Sequence, residues 1–292
     1  MKLLHLNVLV PLKELIVLVS IFQIEFRLMI NDLIYVYCLL NSPPELSQSI
    51  ETDGLQSLVL DNFYVIVKYV SESEFSEENL KRNISDIHWL ETNAREHVKV
   101  INILMDNHAV IPFNFGTIFQ SEESLRKFIT DYSDSLSENF LYIGGKVEWA
   151  VKIYCDRKAL SEQIDDLSEE AGALEKQIMA SGPGKAFLLK RKKADLVENE
   201  MNRLCNNIGQ EYFDEFRNIS EATRLNNLLP KEFTGRKDSM ILNAAFLLSK
   251  NKVENFINTV NTLRKKDGNS GFVIETTGPW PPFSFISIKE KQ

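Results

Sequence analysis

The chain is short of cysteine, of basic charge and of long apolar runs, and each shortage removes a class of protein. Three cysteines, Cys38, Cys155 and Cys205, are spread through 292 residues. An odd, dispersed set excludes a fully paired disulfide framework and any CxxC metal knuckle, and suits a reducing cytoplasm. Lys and Arg total 33 against 41 Asp and Glu, a net charge of −8. Such a chain binds a phosphate backbone poorly unless its positive charge is concentrated locally, so no nucleic-acid partner is expected. A membrane span needs roughly 18 apolar residues with few charges. The most apolar stretch, residues 1–28, is interrupted by Lys13 and Glu14 and closed by Glu25 and Arg27, so no membrane partner is expected. What remains, 44% hydrophobic and 25% charged residues, is globular composition. The length fits one large domain or two ordinary ones, with two preferred.

Residues 1–28 differ from everything after them. Lys2 supplies the basic start of a signal peptide, but no small-residue cleavage site follows. The reading adopted is an over-extended start with Met29 as the real beginning. The alternatives are an extra docking strand or helix, and last a membrane anchor.

Strand-like segments follow at 30–40 (INDLIYVYCLL), 55–61 and 63–70, rich in β-branched and aromatic residues. A helix is predicted from Ser85 as N-cap, with Ile87, Leu90, Ala94, Val98, Ile101, Leu104 and Met105 on its inner face. Residues 109–119 read as a strand bent at Pro112. Ser121 caps a second helix that buries Leu125, Phe128, Ile129, Tyr132, Leu136 and Phe140. In KVEWAVKIYC (146–155), Val147, Trp149, Val151, Ile153 and Cys155 alternate with charged residues, the period of a strand. Beyond Cys155 the chain turns charged and helical. Near-heptad leucines and isoleucines to residue 180, the turn SGPG (181–184) and a second long helix predict an antiparallel, coiled-coil-like hairpin standing out from the body. The last third offers strands at 240–248, 271–277 and 283–288 around a helix at 251–266.

The expected fold is therefore α+β: two modified ferredoxin-like domains with a helical hairpin between them or within the second. The expected boundaries are 29–155 for the first domain and 156–292 for the second. The second holds the hairpin (156–220) and a small α/β unit (238–290).

Motifs that carry chemistry fail when tested. Gly184-Lys185 suggests a phosphate loop, but Met179 and Ala186 stand where a Gly and a hydroxyl are required. His88, His97 and His108 are nine and eleven residues apart, whereas one helix face needs three or four, so they read as surface or half-buried histidines. No catalytic residue, metal site or cofactor is expected. Two segments suit partner binding instead. KRKK (190–193), led by Lys190 and Arg191, reads as a solvated face or a contact for an acidic partner. In TGPWPPFSF (277–285), prolines stiffen the backbone around Trp280, Pro281, Pro282 and Phe283. That segment either seals the core or presents rigid aromatics to another protein.

Six segments together resemble one family, the gas vesicle accessory proteins GvpF and GvpL: DIHWLETNAREH (86–97), VIPFNFGTIFQSEESL (110–125), VEWAVKIYCD (147–156), SGPGKAFLLKRKK (181–193), MILNAAFLL (240–248) and GFVIETTGPWPPFSF (271–285). They occur in family order, and the paired helices with SGPGKAFLLKRKK look more like the L branch. The resemblance covers residues 30–288 and leaves 1–28 without a counterpart. It implies two ferredoxin-like α/β domains and a cytoplasmic, gas-vesicle-associated, chaperone-like assembly factor. The implied partners are the hydrophobic shell protein and other accessory proteins, with neither enzyme activity nor cofactor. The competing reading is a ligand-binding ferredoxin-like protein of unrelated role.

Overall fold

The structure, a computed structural model, describes residues 32–44, 54–266 and 271–289. The expectations for residues 1–28 lie outside them. The described chain divides into two compact units. The first runs to Phe140 and takes in the residues from Ile288 onward; the second spans Leu141–Ser287.

The first unit is built on one antiparallel sheet of β1 (Asp32–Leu40), β2 (Leu55–Leu60), β3 (Phe63–Ser71), β4 (Val110–Pro112) and β5 (Ile118–Phe119). The strand order is β2-β3-β1-β4, with β5 also on β1. β1 is central, and Ile34 to Leu40 are all buried, which explains its unbroken β-branched and aromatic composition. β2 and β3 form a hairpin in which Leu60 pairs with Phe63 across a two-residue turn. Asp61 takes the positive φ of 51° that such a turn requires. The bend expected in 109–119 is a break into two short strands, because Pro112 lacks the N–H that would continue the ladder.

Helices α1 (Glu72–Phe75) and α2 (Glu77–Asn83) precede the longer α3 (Ile87–Met105). The cap of α3 is Asp86 rather than Ser85, because its carboxylate accepts from the N–H groups of His88 and Trp89. The inner face is also rotated from expectation. His97, Val100, Ile101, Leu104 and Met105 are buried while Ile87 is exposed. Ser121 caps the next helix as expected, in a reciprocal capping box with Ser124. That helix breaks at Tyr132 into α4 (Glu122–Asp131) and α5 (Ser133–Ile143).

The second unit repeats the strand order on a new sheet: β7 (Ala222–Leu225), β8 (Ser239–Ser249), β6 (Lys146–Cys155) and β9 (Phe272–Trp280), again all antiparallel. This moves the expected domain boundary. Residues 146–155 pair with β8 and β9, so they are the central strand of the second unit and not the last strand of the first.

Between β6 and β7 lie α6 (Arg157–Glu162), α7 (Ile164–Leu167), α8 (Glu169–Met179) and α9 (Pro183–Ile219). The hairpin is thus an insertion inside the second unit, and half of it belongs to the core. Met201, Cys205, Gly209, Tyr212, Phe213 and Phe216 form a buried stripe at spacings of three and four along the second half of α9. At Gly209 a Cβ would lie 3.3 Å from the Ile241 carbonyl oxygen, so the missing side chain lets the helix approach β8 closely. The distal half packs against α8, which buries Leu174 and Ile178. After the short α10 (Lys231–Thr234) and β8 comes α11 (Val253–Lys266), which completes the core with Phe256, Val260 and Leu263.

The strand expected at 283–288 does not form. Residues 283–285 make a single tight helical turn, stabilised by bonds from Phe283 N–H to the Pro281 carbonyl and from Phe285 N–H to the Pro282 carbonyl.

Candidate functional site

Three places on the two units hold chemistry beyond simple packing. The first is the segment Gly278–Ser284. β9 ends at Trp280, and the chain then crosses the second sheet. Ser284 donates its N–H and O–H to the two oxygens of Glu148 on β6, at 2.8 and 2.7 Å. Its carbonyl accepts from Arg224 on β7 at 2.8 Å. Glu148 is buried at an outward position of the strand pattern, a residue that sequence periodicity assigned to solvent. Burial pushes its carboxyl above the ordinary range, against the two Ser284 bonds and the Arg224 charge. This strap buries Pro281 and Pro282, which removes those two from any exposed contact and fits the first of the two readings of the segment, a seal on the core. Trp280 and Phe283 are half-buried, and the Trp280 indole N–H is held by Thr277 Oγ1 at 3.1 Å.

The second place is the distal hairpin. Lys190 and Arg191 are exposed there, as the sequence led us to expect, but they do not stand alone. Phe187 and Leu188 on the preceding turn are 71% and 68% exposed, and Met179 at the end of α8 is 78% exposed. Residues 187, 188, 191 and 192 fall on one helix face by their spacing. Large apolar groups beside uncompensated positive charge make an amphipathic surface. Lys193, by contrast, is bound to Glu175 at 2.8 Å and serves the hairpin itself. In the sequence Phe187 and Leu188 stand immediately before the basic run.

The third is in the first unit. Tyr35 and Tyr37 share one face of β1 at period two and meet α3. His97 is buried rather than surface-lying, with Nδ1 2.8 Å from the Tyr35 hydroxyl and Nε2 3.0 Å from the Phe113 carbonyl oxygen. A carbonyl can only accept, so Nε2 carries the proton and neutral Nδ1 accepts from Tyr35. Burial lowers the His97 pKa, opposed by the Phe113 bond. Beside it Glu96 Oε1 accepts from Lys68 at 2.8 Å and from Tyr37 at 2.9 Å. Burial opposes ionisation of Glu96, but those two bonds and the Lys68 charge hold its carboxyl below the ordinary range. Tyr35, Tyr37, Lys68 and Glu96 line a pocket of about 260 Å³ that also includes Glu74 and Phe75.

A pH dependence follows from His97. Its folded pKa lies below the unfolded value of 6.5, so the stability it contributes is present above 6.5. That contribution is lost as pH falls from 6.5 through the depressed folded value. Thermal unfolding of the first unit should therefore show a downward slope in Tm over that window. His97→Gln should flatten the slope, and an unchanged slope would place its source elsewhere.

Among the described residues, no helix is long and apolar enough to cross a membrane, and no group of three or more His, Cys, Asp or Glu could hold a metal.

The chain is thus a two-unit α+β protein with a helical hairpin inserted in its second sheet. A family model described as "Gas vesicle synthesis protein GvpL/GvpF" matches residues 33–287, and the chain belongs to that family. It is 27% identical to gas vesicle protein L of Streptomyces sp. (strain CB03234) over 224 residues, 76% of this chain and 79% of that protein. It is 24% identical to gas vesicle protein F of Nostoc sp. (strain PCC 7120 / SAG 25.82 / UTEX 2576) over 225 residues, 74% and 82% of the respective chains. The crystal structure of GvpF from Anabaena sp. PCC7120 superposes with a TM-score of 0.66 at 20% identity, covering 89% of this chain and all of that one. That likeness establishes the fold.

Proposed function

We propose that this protein is a non-enzymatic accessory factor in gas vesicle formation, acting in the cytoplasm and at the growing vesicle. It binds the hydrophobic shell protein, other accessory proteins, or both. The observation that carries the reading is the family match along nearly the whole described chain. The strand order common to both sheets supports describing each unit as a modified ferredoxin-like domain. Its chemistry is that of a holder. A small apolar shell subunit free in water aggregates through its exposed surface, and a partner that covers that surface keeps it available for assembly. The distal hairpin, with Phe187 and Leu188 beside Lys190 and Arg191, suits such a chaperone-like contact with an apolar, acidic partner. Trp280 and Phe283, braced by the strap, supply a second, stiffer contact with little entropy left to lose.

The test is co-expression of the full chain with the major shell protein, followed by pull-down and a solubility assay. Retention of soluble shell protein in a complex is expected. Lys190→Glu combined with Arg191→Glu should weaken binding about tenfold or more, since like charge now faces the acidic partner. Its Tm should be unchanged, because both side chains are exposed. Trp280→Ala should weaken binding less. A folded protein that retains no shell protein would overturn the holding role and move the contact to the other accessory proteins.

A second reading, a ligand-binding protein of unrelated role, draws on the pocket beside Tyr37, Lys68 and Glu96. Thermal stabilisation of the first unit by one member of a metabolite panel would favour it.

A further inference from the structure

Two of the three cysteines, remote in sequence, meet in the second unit. Cys155 is the last residue of β6, and Cys205 lies in the docked half of α9. The two thiols interact inside one buried apolar cluster with Leu160, Ile164, Ala171 and Met201. Both are free thiols. An apolar cluster needs no sulfur–sulfur contact to be well packed.

We infer that Cys155 and Cys205 form an oxidation site, which a small peroxide converts to a disulfide tying the end of β6 to the middle of α9. In the first step the Cys205 thiolate sulfur attacks one peroxide oxygen. The O–O bond breaks, hydroxide leaves, and Cys205 becomes a sulfenic acid. The Cys155 sulfur then attacks the Cys205 sulfur. The S–S bond forms, the S–O bond breaks, and the hydroxyl departs with the Cys155 proton as water. Two electrons pass from the sulfur pair to the peroxide, and a dithiol reductant returns them.

The surroundings assign these roles. The bond from Cys155 lowers the Cys205 thiol against burial and the Glu198 charge, and the Arg157 guanidinium favours the thiolate at both cysteines. The same contact, with burial, pushes Cys155 up, so Cys155 holds the proton and Cys205 is the nucleophile. Arg157 is fixed in place by Glu198 at 2.8 Å. Part of the cluster's cover, Leu160 and Ile164, comes from α6 and α7, helices of six and four residues. Helices so short have no stability of their own, and their local opening admits a molecule little larger than water. Cys38 is the internal control. It is wholly buried in β1, burial pushes its thiol far up, and neither of the other cysteines is in its sheet. Closure of the disulfide would lock the docked half of the hairpin to the sheet, while the distal surface stays as it is.

The experiment treats the full chain with hydrogen peroxide, then counts thiols under denaturing conditions and maps peptides without reduction. Loss of two of the three thiols is expected, with a cross-linked peptide joining 155 to 205 and Cys38 still reduced. Dithiothreitol should restore the count. The oxidised protein should melt several degrees higher, as cross-linking restricts the unfolded chain. Peptide mapping of the unsubstituted protein needs no variant to fold. Cys205→Ser adds a check, since at the same peroxide dose it should leave Cys155 reduced. Three intact thiols, equal loss at Cys38, or sulfinic acids without a cross-link would each overturn the assignment.

Discussion

Replacing Phe216 with Ala is expected to destabilise the second unit by about 3–5 kcal/mol, the range for emptying a fully buried aromatic site. Phe216 has no exposed surface and sits near the C-terminal end of α9. Its ring centroid lies 5.1 Å from that of Phe256 on α11 and 5.5 Å from that of Phe246 on β8. One side chain therefore joins the hairpin, the sheet and the following helix. The loss combines apolar transfer, the cavity left behind and two ring–ring contacts, each worth about 0.5–1.5 kcal/mol beyond its area. Phe216→Leu should cost far less, because most of the volume is kept. Urea unfolding followed by circular dichroism reads both. A change below about 1 kcal/mol for the Ala variant would mean that this end of α9 is not docked.

The second large effect is at Gly278, where Ala is expected to cost about 2–4 kcal/mol from backbone strain and steric overlap together. Its φ is +149°, in a region that L side chains rarely adopt. A Cβ built there lies 2.7 Å from Trp149 Cδ2 and 3.0 Å from the Glu148 carbonyl oxygen. The indole cannot retreat freely, because it packs on the core beside Phe256 with ring centroids 5.9 Å apart. The displacement would be felt along the strap at Glu148 and Ser284. Gly278→Ala should therefore lower Tm and also loosen Trp280. Thermal unfolding measures the first effect, and tryptophan fluorescence anisotropy at a temperature where the protein is folded measures the second. A variant with wild-type values for both would show that the segment yields without cost.

Much of the fold was legible in the residues. The strands within 32–40, 55–70, 146–155 and 240–248 and the helices beginning after Ser121 and near 251 announced themselves through composition, period and caps. These signals are local, and local physics decides them. The misplaced features were those in which a distant group intervened. Glu148 looked solvent-facing because its neighbours alternate, and only the return of Ser284 across the sheet makes its burial tolerable. FSFISI looked like a strand because its residues favour one. His97 looked like a surface or half-buried histidine because nothing nearby in sequence shows the Tyr35 hydroxyl and Phe113 carbonyl that satisfy its two nitrogens. Of the four residues of the aromatic segment, Pro281 and Pro282 are buried and Trp280 and Phe283 half-buried, while Lys190 and Arg191 of the basic run are on the surface.

The sequence by itself determined the α+β class, the helical hairpin, the absence of recognisable catalytic motifs and, through six ordered segments, the family. These rest on residue type and spacing, which survive without coordinates. The tertiary structure alone decided that β6 belongs to the second sheet, that half of α9 is core, and that Cys155 meets Cys205. Strand pairing and helix docking join residues whose separation along the chain carries no information about their distance in space. Such contacts become visible when the chain closes on itself and burial selects one arrangement.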